Sequence, residues 1–98
     1  MCGIIGINSN RAVSSTIINS LKKLEYRGYD SAGIATLYNN EINEVKSEGR
    51  VDNLENNLIV QKMEGTIGIG HVRWATHGLP NSINAHPHSS QNVSVVHN

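Results

Sequence analysis

At 98 residues the chain has room for one small domain with a modest core. Eight Lys and Arg balance eight Asp and Glu, and no basic patch interleaves with aromatics, so neither nucleic acid nor a charged membrane surface is expected as a partner. One cysteine excludes an internal disulfide and suits a reducing compartment. With no signal peptide, no myristoylation signal and no apolar run of membrane-spanning length, the expectation is a soluble, cytoplasmic protein.

Taken in order, Ile4, Ile5 and Ile7 between Gly3 and Gly6 predict a buried strand whose glycines leave room beside the backbone. Asn8-Ser9-Asn10 predicts a turn, with Ser9 or Asn10 as helix cap. Val13, Ile17, Ile18, Leu21 and Leu24 recur at helical spacing, and Gly28 should end that helix. The stretch 25–33 is too polar for a core strand and too aromatic for a plain linker. A strand is predicted over 34–38, a hairpin turn at Asn39-Asn40, and a return strand over 42–47. Val51, Leu54 and Leu58 predict a second, weaker helix with Asp52 in its first turn. Residues 66–72 read as a strand with Gly68 and Gly70 on one face and Ile67 and Ile69 on the other. A long irregular stretch over 74–91 carries Pro80 and Pro87, the kind of loop that is usually functional or disordered. Residues 92–97 predict a last strand. Its abrupt end at Asn98, a residue suited to open a hairpin turn, suggests a sequence cut before its partner strand.

Several residues could carry chemistry. Cys2 follows the initiator methionine and is small, so Met1 is expected to be trimmed, leaving Cys2 with a free α-amine beside its thiol. An α-amine titrates close enough to neutrality to act as general base for its own side chain, the pairing of N-terminal nucleophiles. The alternative is a small buried hydrophobe opening a strand. Arg73 ends an apolar strand beside Trp74, where a planar guanidinium could capture a carboxylate through paired donors. It could equally form an ion pair with one of the acids. Thr76 and His77 could bond the same small ligand. Asn98 carries an amide that could donate to an oxyanion, or it is a turn residue. Four of the five histidines fall after Ala75. His71, His77, His86, His88 and His97 lack the tight ligand pairs of a zinc site, so no metal is expected, and hydrogen bonds that order a polar loop are the plainer role. No phosphate-binding glycine loop is present in the sequence, and no cofactor is expected.

Five blocks in order carry a resemblance. They are Met1-Cys2-Gly3-Ile4-Ile5-Gly6, Leu24-Glu25-Tyr26-Arg27-Gly28-Tyr29-Asp30-Ser31-Ala32-Gly33, His71-Val72-Arg73-Trp74-Ala75-Thr76-His77-Gly78, Asn84-Ala85-His86-Pro87-His88 and Val95-Val96-His97-Asn98. Together they resemble the glutaminase domain of the glutamine–fructose-6-phosphate aminotransferase family, a class II amidotransferase with the N-terminal-nucleophile fold. Amidophosphoribosyltransferases open similarly, but have His-Arg-Gly-Gln-Glu-Ser where this chain has Tyr26-Arg27-Gly28-Tyr29-Asp30-Ser31, and Arg-Tyr-Ser-Thr where it has Arg73-Trp74-Ala75-Thr76.

The resemblance implies an α+β fold, the αββα sandwich of N-terminal-nucleophile hydrolases, of which residues 1–98 would be the first part. It implies that Cys2 attacks the side-chain amide of glutamine through a γ-glutamyl thioester, that Asn98 donates to the oxyanion, and that Arg73 holds the α-carboxylate. Trp74, Thr76 and His77 would line the pocket, with Arg27 and His86 bracing it from behind. Fructose 6-phosphate would be the acceptor in the full enzyme, which would be a homodimer. The family's second oxyanion donor and the aspartate that grips the substrate amine lie past Asn98, so the 98 residues are expected to have little or no activity alone.

Overall fold

Isoleucine and glycine alternate strictly over residues 67–70, and that alternation separates a helix-covered face of the sheet from an open one. The computed structural model describes residues 1–74, 78–79 and 81–98. In chain order these form β1 (Gly3–Asn8), α1 (Ser14–Leu24), a 3-10 turn (Glu25–Arg27), β2 (Ser31–Tyr38), β3 (Glu41–Glu48), α2 (Val51–Glu55), α3 (Leu58–Gln61) and β4 (Ile67–Arg73). The short strands β5 (His88–Ser89) and β6 (Ser94–Val95) follow. The first four strands make one antiparallel sheet in the order β1-β4-β2-β3, and β5 pairs with β6 separately. β4 is central at the site end, pairing Gly3 with Val72 on one side and Ala32 with Val72 on the other.

The helices share one face. Ile17 and Leu21 of α1 are fully buried, and Ile17 lies directly over Gly68 and Gly70 of β4, where any larger side chain would collide with it. Val51 and Leu54 of α2 complete a core that runs through Ile34, Val45 and Val72. Lys22 ties α1 to α2 through Glu55 at 2.6 Å and Asp52 at 3.4 Å. These pairs are exposed, and such contacts contribute about 0–1 kcal/mol each. The apolar burial beneath them therefore does more to hold the helices together. Among the described residues no helix is long and apolar enough to cross a membrane.

Four expectations need correction. α1 starts at Ser14 without a side-chain cap, and neither Ser9 nor Asn10 serves. The reason is that Val13 sits in the core, with its amide donating to the Gly65 carbonyl at 3.0 Å, so packing fixes the helix start. β2 begins at Ser31 rather than Ile34, because a buried Ser31 bonded to Asp30 Oδ1 at 2.9 Å tolerates the sheet interior. The second helix is two pieces. Asn57 leaves helical geometry (ψ 125°) and its side chain caps α3 through the amides of Ile59 and Val60, an Asn competing with its own backbone. The last strand shrinks to Ser94–Val95. The hairpin turn is as expected: Asn39 and Asn40 both have positive φ, 51° and 63°, the geometry whose twist matches the flanking strands.

Candidate active site

β1 and β4 bring the two ends of the candidate site together. The register that sets Gly3 opposite Val72 brings Cys2 level with Arg73. The amide of Trp74 donates to Cys2 Sγ at 3.4 Å, and Sγ lies 3.8 Å from the Trp74 carbonyl. Backbone thus cradles the sulfur from the neighbouring strand end. The indole of Trp74 lies over Gly28, whose φ of 117° and lack of a side chain are both required: a Cβ there would come within 2.5 Å of the ring. This is why the turn after α1 carries glycine rather than a larger cap residue.

The amino end is held as well. The Met1 ammonium donates to the Arg27 carbonyl at 3.2 Å, and the Arg27 guanidinium meets the Met1 thioether. With Met1 attached, the nitrogen of Cys2 is a peptide amide and cannot act as a base. Removing Met1 would move the α-amine onto Cys2, beside its own thiol.

Arg73 is buried to 7% exposure at the end of β4. Its Nη1 donates to the Leu79 carbonyl at 2.9 Å and lies 3.6 Å from Asp30 Oδ1. Asp30 also donates its amide to the Arg73 carbonyl at 2.8 Å. The chain therefore provides the acid partner that the sequence left open, and Asp30 is a residue to which the sequence alone assigned no role. Its only sequence signal is its place in the polar stretch just before β2. Thr76 and His77, along with Ala75 and Pro80, lie outside the described residues.

His86 belongs to a second group on the open face of the sheet. His71 is fully buried there, on the same face as Gly33 of β2, its register partner. A Cβ on Gly33 would stand 1.9 Å from the His86 carbonyl, so only glycine lets residues 85–87 lie against the strand. The His71 and His86 rings stack with centroids 4.3 Å apart, and His88 tilts against His86 at 4.5 Å. Burial holds His71 below the usual imidazole range, reinforced by Arg73 and His88 and opposed by the His97 carbonyl and Asp30. Burial likewise pushes His86 down to about 4, with the positive charges of its neighbours adding to the shift. The rings face one another rather than converging on a point, and no group among the described residues is arranged to hold a metal ion. Asn98 is exposed, next to His97, whose carbonyl is bound by His71 Nε2 at 2.7 Å. A groove of about 280 Å³ on the same face, lined by Leu37, Ile42, Ile67 and Ile69, lies toward the other end of the strands and does not include Cys2 or Arg73.

No protein-family model matches the chain. Along its full length it is 55% identical to glutamine–fructose-6-phosphate aminotransferase (isomerizing) of Mesorhizobium japonicum, and 55% identical to the protein of that name from Clostridium acetobutylicum. The chain spans 16% of the length of each. The fold is similar to that of glutamine phosphoribosylpyrophosphate amidotransferase from B. subtilis, solved with ADP and GMP, with a TM-score of 0.76 and 27% identity over 96% of this chain and 20% of that one. One helical layer on one sheet is thus the opening part of an α+β N-terminal-nucleophile sandwich. From its first residue to its last, the chain is similar to the N-terminal region of the glutamine–fructose-6-phosphate aminotransferases, and it shares its fold with a glutamine amidotransferase.

Proposed function

We propose that residues 1–98 carry the nucleophile of a glutaminase site, the part of a glutamine-dependent aminotransferase that releases ammonia for transfer to fructose 6-phosphate. The observation that carries this reading is the Cys2 sulfur, set against the Trp74 amide and level with Arg73. With Met1 removed, the α-amine of Cys2 takes the thiol proton. The sulfur then attacks the carbonyl carbon of the glutamine side-chain amide. The C–N bond breaks, the proton goes to the departing nitrogen, and ammonia leaves a γ-glutamyl thioester that water hydrolyses to glutamate. The side-chain amide of Asn98 donates to the oxyanion of the tetrahedral intermediate, and such a donor is typically worth about a hundredfold or more in rate.

Arg73 faces the α-carboxylate of glutamine while Asp30 holds the guanidinium in place from behind. Trp74 forms a wall of the glutamine pocket in this reading, and the assignment of Thr76 and His77 to the same ligand rests on the sequence. Arg27, whose carbonyl accepts from the Met1 ammonium while Met1 is attached, braces the site from behind the amino end. The relatives' name supports the glutamine and sugar-phosphate specificity.

The test is alkylation by a diazoketone analogue of glutamine, read by intact mass and peptide mapping of the Met1-free protein. One adduct on Cys2, suppressed by glutamine and absent from Cys2→Ala, is expected. No adduct, or an adduct that glutamine does not suppress, overturns the reading.

A further inference from the structure

The two stacked imidazoles do more than fill space. His71 Nε2 lies 2.7 Å from the His97 carbonyl, and since a carbonyl only accepts, this nitrogen carries the proton. The His97 amide donates to His86 Nδ1 at 3.3 Å, so that nitrogen carries the lone pair. One residue's backbone is thereby gripped at both of its polar groups by two rings that are themselves stacked. His71 is anchored in β4, two residues from Arg73, and His86 is pressed onto Gly33 of β2. The gripped residue directly precedes Asn98.

We propose that His71 and His86 are positioning residues that hold the His97 backbone and so place Asn98 beside the strand end bearing Cys2, and that the grip opens on acidification. The placing of Asn98 rests on the oxyanion role proposed above, whereas the grip itself does not. Protonating His86 removes the lone pair that His97 needs. Protonating His71 puts a donor on Nδ1, a buried atom with no partner among the described residues. The groups facing this pair are Arg73 on β4, Asp30 before β2, Lys46 on β3 and His88 on β5. Arg73, Lys46 and a charged His88 all oppose a second positive charge, while the His97 carbonyl and Asp30 favour charge on His71. The grip is therefore closed at neutral pH, and its opening is governed by the imidazoles' own titration.

The experiment is an NMR pH titration of the whole chain that follows the backbone amides of His97 and Asn98, with Ile34 and Val72 as reporters of the sheet. Wild type is expected to lose the His97 amide's hydrogen-exchange protection as pH falls toward about 4, while the sheet amides stay protected. His86→Asn offers a non-titrating acceptor near the place of Nδ1. It is expected to keep the His97 amide protected through that range, whereas His86→Leu loses it at every pH. Simultaneous loss of His97 and sheet protection in wild type, or an unaltered His97 titration in His86→Asn, overturns the proposal. Labelling of Cys2 by the diazoketone is read independently. Labelling without the titration defeats the grip alone, and the titration without labelling defeats the glutaminase reading alone.

Discussion

Asp30 binds in several directions within one turn of chain. Its amide donates to the Arg73 carbonyl, its carbonyl accepts from Gly49 at 2.8 Å, and its carboxylate takes the Ser31 hydroxyl and faces the Arg73 guanidinium. Both side chains of the ion pair are nearly buried, at 8% exposure for Arg73 and 13% for Asp30. Screening by water is weak there, and a partly unpaired buried charge costs more than the pair gains by forming. Replacing Asp30 by Asn keeps the shape and the hydroxyl contact but removes the charge. Asp30→Asn is therefore expected to lower stability by about 1–3 kcal/mol, the usual cost of an imperfectly satisfied buried group. It should also weaken protection of Cys2 by glutamine in the labelling assay, because Arg73 loses its orientation. Urea denaturation and labelling competition check the two halves, and a variant unchanged in both would show that Asp30 does not support Arg73. Cys2 and Arg73 could be singled out from sequence because each is an unusual residue at an unusual place, a lone thiol after Met1 and a cation ending an apolar strand. Asp30 could not, and for His71 and His86 only a general role in ordering the loop by hydrogen bonds was legible, without the His97 partner. Their meaning lies in pairings across 11 to 43 positions that leave no local pattern.

Local signals decided the elements wherever neighbouring residues set the conformation. The helical spacing of Val13, Ile17, Leu21 and Leu24 predicts α1, and the Asn pair predicts the hairpin, because period and positive φ are properties of adjacent stretches of chain. Where a partner elsewhere in the chain decides, the expected boundaries shift. β6 stops at Val95 because the His97 amide is taken by an imidazole instead of a strand. α2 and α3 separate at Asn57 because a side-chain cap wins over one more turn. The β2–β3 hairpin offers a test of the local kind. Asn40 holds φ at 63° with an exposed side chain, and an L-residue other than Asn, Asp or Gly loses about 1–2 kcal/mol there. Asn40→Ala should lose about that much stability, and Asn40→Gly should be neutral or slightly stabilising. Thermal denaturation of the two variants side by side checks this. Equal loss in both would show that the Asn side chain, rather than the backbone angle, is what the turn needs.

Among the described residues, one face of the sheet is closed by three helices and the other by the loop that carries His86, His88 and the β5–β6 pair. The two faces answer differently to pH. The helical face rests mainly on aliphatic packing, with the exposed Lys22, Asp52 and Glu55 pairs adding little. The loop face rests on imidazoles that fold in the neutral form, His86 at about 4 and His71 lowered by burial, against about 6.5 for an unfolded histidine. Proton counting fixes the sign. Between about 6.5 and about 4 the unfolded chain binds a proton at His86 that the folded chain refuses, and the lowered His71 acts in the same direction, so acid favours unfolding. Their contribution is present in full above the unfolded value, falls as pH drops through that window, and changes no further once the folded groups also protonate. Denaturation midpoints measured at several pH values from neutral to about 4 should therefore decline. The decline should be shallower in His86→Asn, which cannot take up the proton in either state. The comparison between variant and wild type isolates the imidazole from the carboxylates, which titrate in both. If the two pH profiles run parallel, His86 has the same proton affinity folded and unfolded, and the loop is not held against the sheet by a neutral ring.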